Sequence, residues 1–467
     1  MAWDGRLLSF TSCCTWLRTE AWRPLGFVSD MNLMSKVENT RQPKGASCRN
    51  MHRQLDVLLH GLYCVQHGQD DRLKNVCITL DDKQYLMDVI CPILFIIGDG
   101  KSNDVLTGRY SSHTEGVKRH CRACYCGIDS LDHPYAECQR VTKSAMKSLM
   151  EQHNEHTLQQ VSQYRVDNAF DRLLLPADDY GIWGATPTNL MHVMPIGIMK
   201  YCLEIIINAM PRVLRLEIDV MAATFHDRNR QSYRQSYPKT DFSKGVTNLT
   251  RLTADEICGL VFVLAALFKT TRGWEILELS ITLCDELPDC VNASGVLEVL
   301  ECLLCFWAWT RQHQFWLLKD DKTASTTVQH AMRVMLLKIK TQLPRLDGMG
   351  WKISKFHELL HLVEDMHRYG SPVNTSASSP EHNHLHFAKR PGRRAHKDHA
   401  TFDLQVATRL TDTMILQSIA KLMISTGDDN NSTTVLNTPS EASSSVAMSS
   451  IAESISNATS YSLQIRD

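Results

Sequence analysis

The sequence predicts an α/β protein in four parts: a strand-and-helix N-terminal region, a large all-α insertion, a C-terminal helical part and a disordered C-terminal tail. Three observations predict it. Short apolar runs bounded by Pro and Gly crowd residues 1–130, apolar residues at helical spacing dominate from 140 to 350, and residues 427–467 are mostly Ser, Thr and Asn. At 467 residues, 43% of them hydrophobic, the chain is long enough for two or three domains, or for one core with a large insertion.

The elements follow in order. Residues 6–16 mix apolar residues with Ser, Thr and Cys, and Trp22 to Val28 close on another short apolar run. Met51, Leu55, Leu58, Leu59 and Leu62 are spaced for a helix over 49–62. Segments 76–80 and 85–90 flank Asp81, Asp82 and Lys83 as a hairpin. The run from Ile90 to Gly98 is short and rich in Ile, Leu and Phe, as a buried strand is, and it delivers Asp99 to a sheet edge, where a metal could sit. Helical periodicity then covers 145–164, 188–209, 254–270, 295–318 and 327–343, with a polar loop at 227–249. Helices return at 354–369 and 401–423. The expected domains are therefore 1–130, a helical insertion at 131–350, a C-terminal helical part at 351–426, and the tail at 427–467.

Bulk properties narrow the function. A net charge of −1 excludes a polyanion binder acting through its whole surface, so a nucleic-acid contact must come from a local basic patch. The 16 cysteines are scattered over a long chain, which predicts reduced thiols. The apolar stretches 258–268 and 296–309 are shorter than the ~20 residues a bilayer crossing needs, and an early Asp4 breaks any leader. The expectation is an intracellular protein, nuclear or cytoplasmic, with no membrane partner.

Several residues could carry chemistry. Asp99 is a turn aspartate in Gly-Asp-Gly or a metal ligand; one carboxylate binds Mg²⁺ poorly, so the second reading needs further acids from elsewhere in the chain. Cys121 and Cys124 are spaced to chelate Zn²⁺ across a turn, which supplies half a tetrahedron. The remaining ligands would come from Cys126, Cys138, His113, His120, His133 or a distant histidine, of which His192 is a candidate. His357, Glu358 and His361 match the zincin pattern HExxH, without the longer motif that metzincins carry. Glu381 follows Pro380 at a helix start, where the helix dipole favours an acid. Lys389, Arg390, Arg393, Arg394 and Lys397 form the strongest basic cluster, suited to phosphates.

Taken together, the succession resembles CACTA-related, Plavaka-like DNA transposases, whose catalytic core is RNase H-like with a DD(E/D) triad. The matching pieces are Ala21 to Val28; Phe95 to Asp99 with Asp104 and Gly108; Cys121 and Cys124; Asn168 to Phe170 with Gly181, Ile182 and Pro187 to His192; and Lys355 to His361 with Gly370 and Glu381. They span residues 15–410. The resemblance implies that Asp99 is the second acid and Glu381 the third, both Mg²⁺ ligands. It identifies Cys121 and Cys124 with the family's C(2)C pair, and Asn189 and His192 with its D(2)H motif, Asn189 replacing the Asp. It further implies an RNase H-like core interrupted by the helical insertion, Mg²⁺-dependent cleavage and strand transfer at transposon ends in an intact relative, and DNA held by the basic cluster. The HExxH match then becomes a structural segment before the last acid. The family's first Asp lies on a strand upstream of the segment before Trp22, and Asp4 stands alone near that region. The expectation is thus an N-terminally truncated, inactive core. The alternatives are a non-catalytic, zinc-stapled protein that binds DNA or protein, and a zinc hydrolase built on His357, Glu358 and His361.

Overall fold

A computed structural model describes residues 6–14, 19–28, 45–71, 74–80, 83–88, 93–111, 116–152, 154–175, 179–230, 245–246, 249–311, 322–378, 381, 384–396 and 401–427. Two compact units emerge: Met31–Pro380, and Met1–Asp30 together with Glu381–Asp467. This division differs from the four segments that the sequence suggests. Asp4, His113, Lys397 and the tail beyond residue 427 lie outside the described residues.

The larger unit is built on helices. Leu190–Ala209, Ala254–Phe268, Thr271–Thr282, Ala293–Thr310 and Lys322–Gln342 enclose one apolar core. Ala254–Phe268 shows why these residues form a helix. Thr253 and Glu256 make a reciprocal capping box at its start, and Ile257, Leu260, Val261, Leu264 and Phe268 recur on one buried face. Each such side chain contributes about 1.5–3 kcal/mol on burial. Leu190–Ala209 contains a π-helical turn at Met194–Met199. Pro195 has no N–H to donate, and the wider turn absorbs the loss. Leu190–Ala209 and Ala293–Thr310 are long and apolar enough to cross a membrane by length and composition. The sequence reading found no such segment, and both helices line the core through Cys202, Leu203, Val299 and Leu300.

Helix boundaries shift for local reasons. The helix expected at 145–164 breaks into Lys143–Glu151 and Glu155–Gln160, because the Asn154 side chain accepts the His156 and Thr157 amides and starts a new helix. Arg212–Arg230 and Thr271–Thr282 are helices that the sequence reading left out, the first extending into the expected polar loop.

The expected mixed sheet is where the structure differs most. The described strands form two separate antiparallel hairpins, Arg6–Cys14 with Thr19–Val28 and Val76–Leu80 with Lys83–Met87, so the protein is α-rich. The first pairs Leu8 with Gly26 and Ser9 with Pro24, and the bulge falls beside a proline that cannot donate to a ladder. Residues 93–99 carry no strand. The Ile93 amide bonds the Leu174 carbonyl at 3.2 Å and the Ile96 amide bonds the Ala185 carbonyl at 2.7 Å. Two anchors on unrelated segments hold the run in place without the continuous partner a strand requires.

Candidate metal centre

Two pieces of local structure build the site. The first is a short antiparallel pairing after Arg119. Cys124 bridges Arg140, the Tyr125 amide bonds the Gln139 carbonyl at 2.9 Å, and the Val141 amide bonds the Ala123 carbonyl at 3.0 Å. The second is the helical run from Ser354–Glu358 through Leu359–His361 to Leu362–Tyr369. Phe356, Leu359, Leu362 and Met366 face the helical core. The helical period therefore gathers His357, His361 and Asp365 on a different face. Asp365 is buried and accepts the Thr188 amide at 2.8 Å, which ties this face to the Thr186–Asn189 segment.

Here Cys121, Cys124, His357 and His361 converge, their ligand atoms all within 4.8 Å of one another. Cys124 Sγ lies 3.1 Å from His357 Nε2, and Cys121 Sγ lies 3.4 Å from His361 Nε2. In tetrahedral zinc the edge between a sulfur and a nitrogen ligand is about 3.6 Å, given bonds of about 2.3 and 2.0–2.1 Å. Both edges are near that length before any ion draws them to a common centre. Cys121, Cys124 and His357 are buried, and His361 is half-buried. Two thiolates and two imidazoles are the donor set of a structural zinc site, and this cluster could hold a metal such as zinc.

The electrostatics agree with a ligand role. Burial alone would raise the Cys121 thiol, but a hydrogen bond from Cys124 and the His361 and His357 rings bring it well below the ordinary thiol range. Cys124 is pushed up, first by that same hydrogen bond and then by burial. His357 Nδ1 lies 3.5 Å from Cys126 Sγ, which orients the ring with Nε2 toward the cluster. Arg140 Nη1 stands 2.8 Å from His361 Nδ1 and 3.3 Å from Glu364 Oε2. A metal held by Nε2 would leave the ring proton on Nδ1, where Arg140 cannot donate, and Arg140 would then keep Glu364 as its partner.

This arrangement corrects two expectations. His192 is not part of the cluster: its Nδ1 lies 2.9 Å from Asn189 Nδ2. Both HExxH histidines join the Cys₂His₂ set, and a zinc held by all four residues would have no coordination position open for a hydrolytic water. Glu358 is also committed elsewhere. Its buried carboxylate pairs with Arg122 at 3.4 Å, and Arg122 donates in addition to the Thr186 and Pro187 carbonyls. A general base needs a carboxylate facing the reacting water, and this one faces a guanidinium.

The residues matched to the transposase triad stand as follows. Asp99 caps the helix Gly100–Leu106, its Oδ1 accepting the Ser102 amide at 2.6 Å, so the turn-aspartate role is realised. Asn189 Nδ2 donates to the Gly98 carbonyl at 2.9 Å, which brings the Asn189–His192 pair beside the Asp99 turn. Gly197 permits the close approach of Lys355, whose Nζ donates to the Ile196 carbonyl at 3.2 Å; a Cβ at Gly197 would lie 2.8 Å from Lys355 Cδ. Burial lowers the Lys355 ammonium, while Glu358 and Asp99 raise it. Glu381 belongs to the smaller unit, where it is exposed and raises the His384 ring that burial and Lys389 hold low. Among the described residues, the groups of three or more His, Cys, Asp or Glu that converge closely enough for a metal contain no carboxylate, so magnesium is not supported. Lys389, Arg390, Arg393 and Arg394 are all exposed around the short helix Arg390–Arg393, which Pro391 and Gly392 anchor by burial.

Comparison with family models, with curated proteins and with solved structures found no match to this chain.

Proposed function

We propose that this chain is a zinc-stapled DNA-binding protein of CACTA-related, Plavaka-like transposase descent, one that holds DNA without cutting it. The observation that carries the reading is the pairing of Cys121 and Cys124 with His357 and His361 across the intervening helical block. A C(2)C pair and a later His pair flank a helical insertion in the order the resemblance implies, and one ion joining them would clamp the block's two ends. The contact of Asn189 with the Gly98 carbonyl adds support, because it brings the D(2)H-like segment to the Asp99 turn. Descent from an RNase H-like core belongs to this proposal as well, although the described strands form only two separate hairpins.

The DNA contact falls to Lys389, Arg390, Arg393 and Arg394, whose exposed charges suit backbone phosphates rather than base edges. Binding is then weakly sequence-dependent and steeply salt-dependent. Cleavage is not expected, because no carboxylate joins a metal-ready group among the described residues. Fluorescence anisotropy with a labelled duplex tests the reading. Raising salt from ~50 to ~200 mM should weaken binding more than tenfold. The double variant R393A/R394A should flatten that salt slope by about 2. Salt-independent or absent binding would favour the alternative, a zinc-stapled protein that docks another protein. Strand cleavage of transposon-end DNA in Mg²⁺ or Mn²⁺, abolished by Asp99→Ala, would overturn the non-cutting claim.

A further inference from the structure

Beside the four ligands stands a second pair of sulfurs. The Tyr125–Gln139 and Ala123–Val141 hydrogen bonds fix the register of the antiparallel pairing. In that register Cys124 faces Arg140, as the observed bridge confirms, and Cys126 faces Cys138. The pairing is a single bridge at 124/140, and continuing its register by two residues on each segment sets Cys126 opposite Cys138. Cys126 Sγ, Cys138 Sγ and a His357 nitrogen lie within 4.8 Å of one another.

We infer that Cys126 and Cys138 are a cross-strand thiol pair that closes reversibly to a disulfide and thereby loosens the adjacent metal centre. A second metal on the same atoms is the weaker assignment. It would require His357 as an imidazolate bridging two cations, whereas the disulfide requires only the facing thiols. Cys138 is half-buried and Cys126 is fully buried, so Cys138 is the sulfur that meets an oxidant. With a hydroperoxide the step balances. Cys138 takes one peroxide oxygen as a sulfenic acid and the other oxygen leaves as water or alcohol. Cys126 then attacks the Cys138 sulfur, the S–S bond forms, the S–O bond breaks and water leaves. Two thiols lose two electrons and two protons, and the peroxide gains them. A disulfide sulfur accepts hydrogen bonds poorly, so the His357 Nδ1 proton loses its partner at 3.5 Å. Losing an outer hydrogen bond of this kind costs a metal site roughly 10–100-fold in affinity.

This inference rests on the metal centre only for its consequence, and the test separates the two. The reduced full-length protein is loaded with Zn²⁺, exposed to stoichiometric hydrogen peroxide, alkylated, digested and mapped by mass spectrometry. Zinc affinity is measured before and after by competition with a chromogenic chelator. The expected result is a Cys126–Cys138 linkage with a zinc affinity ~10–100-fold weaker, restored by a thiol reductant. Cys138→Ser should bind zinc normally and lose nothing on oxidation. If Cys126 and Cys138 remain alkylatable while Cys121 and Cys124 oxidise, the thiol pair is overturned. If the linkage forms and affinity does not change, the coupling to zinc is overturned. Should the reduced protein take up no zinc, the metal centre fails, and the peptide map still decides the thiol pair.

Discussion

Cys124 and His357 stand 233 positions apart in the chain and 3.1 Å apart in space. Two short chelating motifs, each half of a tetrahedron, meet around a helical block that separates them. An ion there would act as a staple, linking the segment after Arg119 to the helical run from Ser354 and restricting the unfolded chain over a long loop.

His361→Ala should therefore reproduce the effect of chelation. Removing metal from the wild type should lower its melting temperature by several degrees, and His361→Ala should melt at the metal-free temperature with or without chelator. Thermal unfolding with added Zn²⁺ or chelator measures this. A His361→Ala protein that still responds to chelation would place the metal elsewhere.

A second prediction concerns the buried Arg109. Its guanidinium pairs with Asp104, itself buried, and donates to the Arg119 carbonyl at 2.7 Å. Arg109→Met keeps the stem and removes the guanidinium that pairs with the buried Asp104, whose charge still interacts with Arg119 and Arg122. The cost should be about 3–5 kcal/mol by urea unfolding, and adding Asp104→Asn should recover part of it.

A pH dependence follows from His52. The ring is buried; Nε2 lies 3.0 Å from the Val105 carbonyl, and Nδ1 accepts the Ala169 amide at 3.2 Å. Burial lowers its proton affinity, with the Val105 carbonyl opposing. A lowered pKa in the folded state means that the unfolded chain binds the proton more tightly. The stability His52 contributes is then full above the ordinary value of 6.5 and is lost as pH falls through the lower folded value. Denaturant midpoints between pH 7.5 and 5 should fall less steeply in His52→Gln than in the wild type.

Gly108 has φ +71°, and a Cβ there would lie 2.6 Å from Val166 Cγ1 and 2.7 Å from Gln163 Nε2. Gly108→Ala should cost about 1–2 kcal/mol for the left-handed backbone and more for the displaced neighbours. Calorimetry would register this as a lower melting temperature, and an unchanged one would contradict the local geometry.

Local signals carried part of this fold and failed at long range. The helix at 254–268 was readable from its apolar period, whereas the period at 145–164 passes over the start signal at Asn154 and takes two helices for one. Residues 93–99 were misread, because a short apolar run looks alike whether it joins a sheet or lies half-buried between single anchors. At the site, CxxC signalled zinc and HExxH signalled a helical chelate, but nothing local says that the two belong to one ion. The available clue was stoichiometric: each motif brought two donors, and a closed zinc site needs four. His192 was one distant candidate for the missing ligands, and in the fold its Nδ1 lies 2.9 Å from Asn189 Nδ2.

X-ray absorption at the zinc edge of the reduced, zinc-loaded protein tests the central claim most directly. The account predicts one zinc per chain with two sulfur ligands at about 2.3 Å and two nitrogen ligands at about 2.0–2.1 Å. A shell with four sulfurs, a shell with an oxygen in the fourth place, or no bound zinc would contradict it.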